Sequence, residues 1–288
     1  MKTFNDIACA FPSSLAEALA LQADDKTRGV PLSGCTDLMV QWESGVLEMP
    51  ERAIHIKDLP ELQEVEDRGE VVSVGAAVTH MGMRRAPLLQ EHAPSLVAAA
   101  ATIGGFQMQS QGTIAGSIAN ASPAGDLAPT LLVYNASIVV ASTRGEREMK
   151  LEDFMLGYRK IDLEPDELIV RFLLPKKPAE CREGFRKLGP REAQAISKVM
   201  GGYRGRADGQ KVVRFAVALG SVAPTAIRLR EFESWVEGKE LTPEVLKEAE
   251  QRASAEVQPI ADIRSTAEYR KWVSGRLVRS FLEELVEG

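Results

Sequence analysis

A stretch of 51 residues, from Ala93 to Thr143, contains a single charged side chain, Asp126. The chain as a whole is 26% charged, so this nearly neutral stretch differs sharply from the rest. A carboxylate buried in such surroundings costs free energy unless it is paired or hydrogen-bonded. The lone charge therefore needs an explanation, and it marks a candidate functional site.

Length and charge restrict the classes of protein to which the chain can belong. At 288 residues it is long enough for about two domains and a large core. The 35 basic and 41 acidic side chains give a net charge of −6, without a basic run or a basic helix face. We therefore expect neither nucleic acid nor a lipid surface as a partner. No stretch reaches the roughly 18 to 20 apolar residues that span a bilayer, so membrane insertion is not expected either.

The cysteines and the N-terminal segment indicate a compartment. Cys9, Cys35 and Cys181 are odd in number, widely spaced and without a CxxC pair. Such a set predicts neither a disulfide framework nor a cysteine zinc site. Asp6 and Pro12 lie where a secretion signal would have its apolar region. We therefore expect a cytoplasmic protein.

Residues 102–126 are rich in Gly, Ser, Thr, Asn and Gln and end at the lone carboxylate. Glycines let backbone N–H groups converge on an anion, while hydroxyls and amides supply neutral hydrogen bonds. Asp126 can accept hydrogen bonds from the hydroxyls of a ribose or ribityl chain. The alternative is a buried, turn-rich stretch in which Asp126 only caps the helix beginning near Leu127.

A second turn of small residues, 33–37, separates two short apolar runs and predicts a strand, a tight turn and a helix start. By itself it could be a simple connection. Together, the two small-residue segments could hold the two phosphates of a dinucleotide from opposite sides. Neither GxGxxG nor GxxxxGK[ST] is present, so the better-known nucleotide sites are not expected.

Side chains suited to acid–base or nucleophilic catalysis are scarce. The three histidines, His55, His80 and His92, form no HExxH or HxxxH pair, and no GxSxG marks a serine hydrolase. We expect no metal site and no catalytic residue, and we interpret His80 as structural. If the chain belongs to an enzyme, a bound cofactor supplies the chemistry.

At its two small-residue segments the chain resembles the FAD-binding subunits of the molybdenum hydroxylases, the group that includes xanthine dehydrogenase, carbon monoxide dehydrogenase and aldehyde oxidoreductases. Residues 33–38 match that family's AGGTDL-like loop, and residues 107–126 match its QIRNxGTIGGNIAxASPxxD-like run. Segments 74–79, 167–175, 185–191 and 265–270 also fit. The resemblance covers nearly the whole chain, and the combination is far more specific than any single motif.

The resemblance implies which residues bind FAD. Two backbone segments would hold the pyrophosphate, Asp126 would bond hydroxyls of the cofactor, Ile103 and Ile169 would line the flavin pocket, and Lys187 would place positive charge near the ring edge. The implied cofactor-binding residues are Leu32, Ser33, Gly34, Cys35, Thr36, Asp37, Ile103, Gly112, Thr113, Ile114, Ala115, Gly116, Ser117, Asp126, Ile169 and Lys187.

Several positions depart from the family pattern. Cys35 stands where the family has Gly or Asn, Gln109 where it has Arg, and Ser117 where it has Asn. Ala115 replaces the first Gly of the TIGG turn. If residue 115 needs a positive φ, its Cβ would cost about 1 kcal/mol.

The function implied by the resemblance is electron transfer. A molybdenum-cofactor large subunit would hydroxylate the substrate, a small subunit with [2Fe–2S] clusters would pass on electrons, and the FAD of this chain would deliver them to NAD or another acceptor, within a heterotrimer. One alternative is a stand-alone FAD-dependent oxidoreductase of the vanillyl-alcohol oxidase type. Another is a flavin-free scaffold subunit, an idea prompted by Ala115 and Gln109.

The predicted fold is α+β: a two-subdomain FAD-binding domain of the vanillyl-alcohol oxidase type, then a C-terminal α+β domain with a small antiparallel sheet. The predicted boundaries are residues 1–175, divided near residue 59, and residues 176–288. Within them the pattern predicts strands at 52–59 and 71–79 with a turn at 66–69, and a helix at 94–101. A capping box at Ser265 and Glu268 predicts the last helix. Its buried stripe would be Tyr269, Val273, Leu277, Phe281 and Leu285.

Overall fold

The computed structural model describes residues 3–192 and 194–287. Helices and strands alternate through the first part of this range, and long strands followed by helices fill the second. The strands are β1 (Ala8–Ala10), β2 (Val30–Leu32), β3 (Arg52–His55), β4 (Val65–Arg68), β5 (Val71–Gly75), β6 (Ser137–Ser142), β7 (Gly145–Lys150), β8 (Met155–Gly157), β9 (Lys160–Ile161), β10 (Leu168–Pro175), β11 (Arg182–Leu188), β12 (Val199–Asp208), β13 (Lys211–Gly220) and β14 (Ile227–Arg228).

Six short helices lie between β5 and β6, where the sequence is nearly free of charge. Short 3-10 helices occur at Phe4–Asp6 and Pro60–Leu62. The α-helices are α1 (Leu15–Ala23), α2 (Leu38–Glu43), α3 (His80–Arg85), α4 (Pro87–His92), α5 (Pro94–Ala101), α6 (Phe106–Gln111), α7 (Ile114–Ala119), α8 (Leu127–Val133), α9 (Leu151–Phe154), α10 (Arg230–Val236), α11 (Pro243–Glu256) and α12 (Ala267–Val286).

Three short parallel strands form the first sheet, in the order β1-β3-β2. Ala8 pairs with Arg52, and Val30 pairs with Ala53. The chain leaves the carboxyl end of β2 through a turn and continues into α2. In open α/β sheets ligands bind beyond the carboxyl ends of the strands, so this turn lies at an edge suited to binding.

The second sheet is antiparallel, in the order β4-β5-β10-β6-β7. Strand β6 is buried at every residue, and its Ile138 and Val140 pack in one core with Phe172 of β10 and Val72 of β5. The apolar part of the nearly neutral stretch supplies much of this core through α5, α8 and β6. The core therefore explains why residues 93–143 carry so few charges.

The last part of the chain forms an antiparallel sheet, β11-β12-β13-β14, covered by α10, α11 and α12. Aromatic rings dominate its core: the ring centroids of Tyr203 and Phe281 are 4.8 Å apart, and those of Tyr203 and Phe215 are 5.9 Å apart. The predicted α+β fold with a small C-terminal antiparallel sheet is confirmed. The boundaries at residues 59 and 175 stay predictions, although the strands change sheet near both of them.

Strand β11 joins the two large parts of the molecule. Its Glu183 accepts hydrogen bonds from the Ser95 N–H of α5 (3.0 Å) and from the Tyr134 hydroxyl (2.5 Å). Burial, and then the adjacent Glu183 carboxylate, raise the pKa of Tyr134 well above its usual value. Farther along, the Ser221 N–H donates to the Pro123 carbonyl (2.8 Å). Polar groups that are costly to bury unpaired thus connect the C-terminal sheet to the helices that precede it.

Some predicted elements are confirmed and others are wrong in detail. Helix α5 has the predicted bounds. The strand predicted at 52–59 ends at His55, and Glu66 lies in strand β4 rather than in a turn, because β4 pairs with β5 and the chain reverses only at Gly69 (φ 76°).

The last helix also starts differently from the prediction. Its N-cap is Thr266, whose side chain accepts the Tyr269 N–H (3.1 Å), so the predicted capping box at Ser265 is wrong by one residue. Tyr269 is 39% exposed, while the other four members of the predicted stripe are buried.

Candidate cofactor site

The first candidate loop, residues 33–37, follows β2 and precedes α2, as the sequence predicts. The Ser33 hydroxyl oxygen is buried without a hydrogen-bond partner in the structure. Cys35 has φ 55°, in the left-handed region, and its carbonyl accepts the Met39 N–H (3.2 Å). The turn therefore ends in the first bond of the helix and leaves a buried hydroxyl available to a ligand.

Of two residues that depart from the family pattern at the loops, Cys35 has a strained backbone and Ala115 does not. Ala115 belongs to helix α7, whose right-handed backbone accepts an alanine without penalty. The positive φ considered for residue 115 is therefore wrong. Cys35, which replaces Gly or Asn of the resembling family, carries the strain instead, because its Cβ opposes the left-handed conformation.

Cys35→Gly should consequently give a more stable chain than Cys35→Ala, by about 1 kcal/mol. Both variants lose the thiol, but only alanine keeps the Cβ that opposes φ 55°. Urea unfolding of the two variants measures the difference. Equal free energies of unfolding, or a more stable Cys35→Ala, would contradict the assignment of strain to this residue.

The second candidate loop, residues 112–117, is attached to the end of strand β5. The Ile114 N–H donates to the Val78 carbonyl (3.0 Å), and the Ala115 N–H donates to the Ala76 carbonyl (3.2 Å). The Thr113 side chain caps α7 by accepting the Gly116 N–H (3.2 Å). Gly116 itself is exposed, and a Cβ built there would meet only the Thr113 hydroxyl oxygen, at 3.1 Å. A side chain at residue 116 thus makes one tight contact, which a shift of the Thr113 hydroxyl by a few tenths of an ångström would relieve.

The two loops touch each other through Gly34. A Cβ at Gly34 would lie 2.0 Å from the Gln111 carbonyl oxygen and 2.8 Å from the Gly112 Cα. Side chains essentially never approach backbone this closely, so only glycine permits the contact. The structure therefore brings together the two small-residue segments, which are about 75 residues apart along the chain.

Asp126 lies at the end of the second segment and pairs with a residue of the C-terminal sheet. The Lys187 Nζ of β11 is 2.6 Å from Asp126 Oδ2, and both side chains are about nine-tenths buried. The second carboxylate oxygen, Oδ1, is buried and has no hydrogen-bond partner in the structure. Burial raises the pKa of Asp126 to about 6, although Lys187 acts in the opposite direction.

The helix-cap interpretation of Asp126 is wrong. The residue precedes α8, but its backbone is already helical (φ −64°, ψ −26°) and its side chain makes no capping bond. Its carboxylate is instead committed to Lys187 through one oxygen. The lone charge of the nearly neutral stretch is thus explained by a buried ion pair with one acceptor left over.

The remaining predicted residues fall into two places. Ile103 follows Thr102, whose carbonyl accepts the second hydrogen bond of Lys187 (3.2 Å), so Ile103 lies beside the ion pair. Ile169 lies at a bulge of β10, is 7% exposed and belongs to the core of the second sheet. Its strand is connected to the second loop through Ala76, whose N–H donates to the Val170 carbonyl (3.0 Å).

Two buried side chains near the loops were missed or undervalued by the sequence analysis. Gln109 donates to the Ala101 carbonyl (3.0 Å) and accepts from the Arg84 guanidinium (2.6 Å), so both ends of its amide are bonded. His80 is 3% exposed and contacts Gly112 and Ser117. No local sequence signal marks either role, because both depend on contacts between separate helices.

The residues present fit FAD. The unpartnered Asp126 Oδ1 and Ser33 hydroxyl can bond ligand hydroxyls or phosphate, and the exposed Gly116 leaves backbone accessible to a diphosphate. Within residues 3–192 and 194–287, no group of His, Cys, Asp or Glu is arranged to hold a metal ion. Over the same residues, none of the helices has the length and apolar character needed to cross a bilayer.

Comparison with known proteins gives a consistent result. Residues 3–177 match the family model for the FAD binding domain in molybdopterin dehydrogenase, and residues 185–285 match that for the CO dehydrogenase flavoprotein C-terminal domain. The nicotinate dehydrogenase FAD-subunit of Eubacterium barkeri is 30% identical, over 94% of this chain and 92% of that protein. The xanthine dehydrogenase FAD-binding subunit of Escherichia coli O157:H7 is 29% identical, over 95% and 94%. A solved carbon monoxide dehydrogenase from Hydrogenophaga pseudoflava superposes with a TM-score of 0.90 at 28% identity, covering 95% of each chain.

Proposed function

Since this chain belongs to the FAD-binding subunits of the molybdenum hydroxylase family, we propose that it is the electron-transfer subunit of such an enzyme. It takes electrons from [2Fe–2S] clusters of a partner small subunit and passes them to NAD or another acceptor. A molybdenum-cofactor large subunit oxidises the substrate. The three chains form a heterotrimer in the cytoplasm, where the free cysteines of this chain stay reduced.

The observation that carries the proposal is the half-satisfied carboxylate of Asp126. A buried acceptor without a donor is costly, and it is retained where a ligand supplies the donor. Asp126 Oδ1 lies at the end of the loop segment that Gly34 joins to the first loop. A ligand carrying both hydroxyls and a diphosphate, as FAD does, satisfies these groups together.

The residues of this chain hold and orient the cofactor and take no chemical part. Residues 33–37 would present backbone N–H groups to the diphosphate. Residues 112–117 would lie against its other side, where most of their own N–H groups are bonded within the protein and the Ser117 hydroxyl faces the ligand. Asp126 would accept from cofactor hydroxyls. Ile103 and Ile169 exclude water from the flavin, and Lys187 supplies positive charge. Bound FAD would supply the redox chemistry, accepting electrons singly and releasing them in pairs. The isolated chain therefore binds FAD without oxidising a substrate.

Ala115 and Gln109, the two differences from the family pattern that suggested a flavin-free scaffold, both fit the fold without strain or unpaired polar groups. Ala115 is helical and unstrained, and Gln109 has its amide bonded at both ends. An absorption spectrum of the purified chain, before and after FAD is added and the excess removed, tests binding directly. Oxidised-flavin bands, with FAD and not FMN released on denaturation, are expected. Co-purification with iron–sulfur and molybdenum subunits then tests the assembly.

Gly116→Val should abolish or strongly weaken FAD binding without weakening the fold. The Cβ of the new residue makes one close contact, with the Thr113 hydroxyl oxygen at 3.1 Å, and the side chain occupies the face assigned to the diphosphate. In a helix valine is also more favourable than glycine. FAD content and thermal unfolding of the FAD-free chain check the two statements. Ala255→Val, at an exposed position of α11, serves as the control. Normal flavin content in the Gly116→Val chain would show that this loop does not bind the diphosphate.

FAD affinity should fall as the pH drops through about 6. Asp126, with its pKa raised to about 6, is ionised above this pH and accepts hydroxyl hydrogens; below it, a proton must leave before FAD binds. Linkage limits the slope to about tenfold per pH unit. Fluorescence titration of FAD between about pH 5 and 8 measures the profile. Asp126→Asn cannot titrate, so an unchanged slope in that variant would assign the effect elsewhere.

A further inference from the structure

His80 is a buried titratable residue to which the proposed function assigns no role. Its backbone N–H donates to the Gly112 carbonyl (2.9 Å). Its ring packs against the second loop so closely that a Cβ at Gly112 would lie 2.9 Å from Nε2. The ring is therefore fixed between the end of β5 and the loop.

The hydrogen bonds of the ring determine which nitrogen carries the proton. His80 Nε2 is 3.3 Å from the Ser117 hydroxyl oxygen, and Nδ1 is buried without a partner. A proton on Nδ1 would be a buried donor without an acceptor, whereas a bare Nδ1 is only an unused acceptor. Orphaned buried N–H groups are the rarer and costlier of the two. The arrangement selects the neutral ring with its proton on Nε2.

This tautomer sets the direction of the Ser117 hydroxyl. When Nε2–H donates, the Ser117 oxygen accepts, and its own hydrogen is free to point away from the ring. In helices a serine often gives that hydrogen to the carbonyl four residues earlier, as Ser110 does to Phe106 (2.9 Å). Ser117 bonds the imidazole instead. Its side chain is half-buried, one residue after the exposed Gly116, so the free hydrogen is available to a ligand.

We propose that His80 is a positioning residue that directs the Ser117 hydroxyl hydrogen toward a phosphate oxygen of the FAD diphosphate. The proposal rests on the assignment of the second loop to the diphosphate. Burial lowers the pKa of His80 to about 4, so the ring stays neutral at physiological pH and the tautomer is preserved. His80 is thus more than a structural residue, because its tautomer determines what Ser117 can offer.

Nitrogen NMR of the FAD-loaded full chain tests the tautomer. The chain has only three histidines, so uniform 15N-histidine labelling and a His80→Gln comparison identify the His80 signals. We expect the long-range 1H–15N pattern of a neutral ring protonated at Nε2. A ring protonated at Nδ1, or at both nitrogens at neutral pH, would overturn the proposal.

A double-mutant cycle on the FAD dissociation constant tests the route through Ser117. Ser117→Ala should weaken binding by about tenfold or more, the value of a hydrogen bond to a charged acceptor. His80→Leu should weaken it by about tenfold, the order found for outer hydrogen-bond partners. His80→Gln, whose amide can donate in place of Nε2, should retain most of the affinity.

The double variant separates positioning from simple packing. If His80 acts through Ser117, His80→Leu has no further effect on FAD affinity in the Ser117→Ala chain. An undiminished loss in that chain would show that His80 only supports the loop, and would overturn the proposal while leaving the FAD site intact. Unchanged affinity in Ser117→Ala, with affinity lost in Gly116→Val, would likewise overturn the role of His80 but not the FAD site. Unchanged affinity in both would show that the second loop does not bind the diphosphate, and would overturn the proposal with that assignment while leaving FAD binding itself intact.

Discussion

Asp126→Ala is expected to weaken FAD binding by about 10- to 150-fold, which corresponds to losing roughly 1.5 to 3 kcal/mol of hydrogen bonding to a charged acceptor. The carboxylate is buried, and its Oδ1 has no partner within the protein. The hydroxyls of FAD would therefore lose their acceptor and would have no water to replace it. Equilibrium dialysis or fluorescence titration of the FAD-free chain gives the two dissociation constants.

The same substitution should also destabilise the fold, by about 3 to 5 kcal/mol, because it leaves Lys187 buried and unpaired. The double variant Asp126→Leu with Lys187→Met separates the two effects. Replacing a buried ion pair by apolar side chains is often neutral for stability, so this chain should regain its resistance to urea. It should not regain FAD affinity. A double variant that binds FAD normally would show that Asp126 matters only as the partner of Lys187.

Gly34→Ala is expected to remove FAD binding and to reduce stability by about 1 to 3 kcal/mol, the usual cost of overpacking. The new methyl group would lie 2.0 Å from a carbonyl oxygen and 2.6 Å from a carbonyl carbon of Gln111. Both are backbone atoms, so no side-chain rotation can relieve the clash. The two loops must therefore move apart, and the diphosphate could then contact only one of them.

A matched control for this substitution lies in the C-terminal sheet. A Cβ at Gly205 would lie 2.7 Å from the Arg214 carbonyl oxygen, a milder clash of the same kind with backbone, within a strand that contributes to neither loop. Gly205→Ala should cost stability but leave FAD affinity unchanged. Flavin content measured at equal fractions of folded protein compares the two variants. If both lose FAD equally, general destabilisation and not loop contact explains the Gly34 result.

The sequence predicted the local features of the fold and of the candidate site better than the contacts between distant segments. The turn between β2 and α2 and the bounds of α5 follow from residue types within a short window, and so does the choice of Asp126 as a candidate site residue, whose role stays a prediction. The residue types suggested that the two small-residue segments hold one ligand from opposite sides, but the contact of Gly34 with Gln111 was not predicted, because nothing near either residue specifies the other. The Asp126–Lys187 pair joins residues from different parts of the chain, and the resemblance assigned both to the cofactor without predicting that they bond.

The errors have physical causes of the same kind. Ala115 and Cys35 exchanged roles because the sign of φ depends on how a loop meets its neighbours, which composition does not reveal. Residues 66–68 look like a turn in isolation but become a strand because β5 supplies a pairing edge. The last helix begins one residue later than predicted, because Thr266 and not Ser265 is its N-cap; both residue types cap helices well, so the sequence does not distinguish them.

Strand β11 brings residues from the second half of the chain to the proposed flavin site. Glu183 and Lys187, four residues apart on this strand, both extend into the preceding helices, one to Tyr134 and the other to Asp126. A fragment that stops at Pro175 would contain every glycine of both loops, yet it would leave Asp126 without Lys187 and would remove the Glu183 carboxylate that accepts from Tyr134 and from the Ser95 N–H. If the proposed site is correct, we expect a shortened flavin-binding version of this protein to need β11 and the sheet that supports it, and a version split between β10 and β11 to lose flavin affinity.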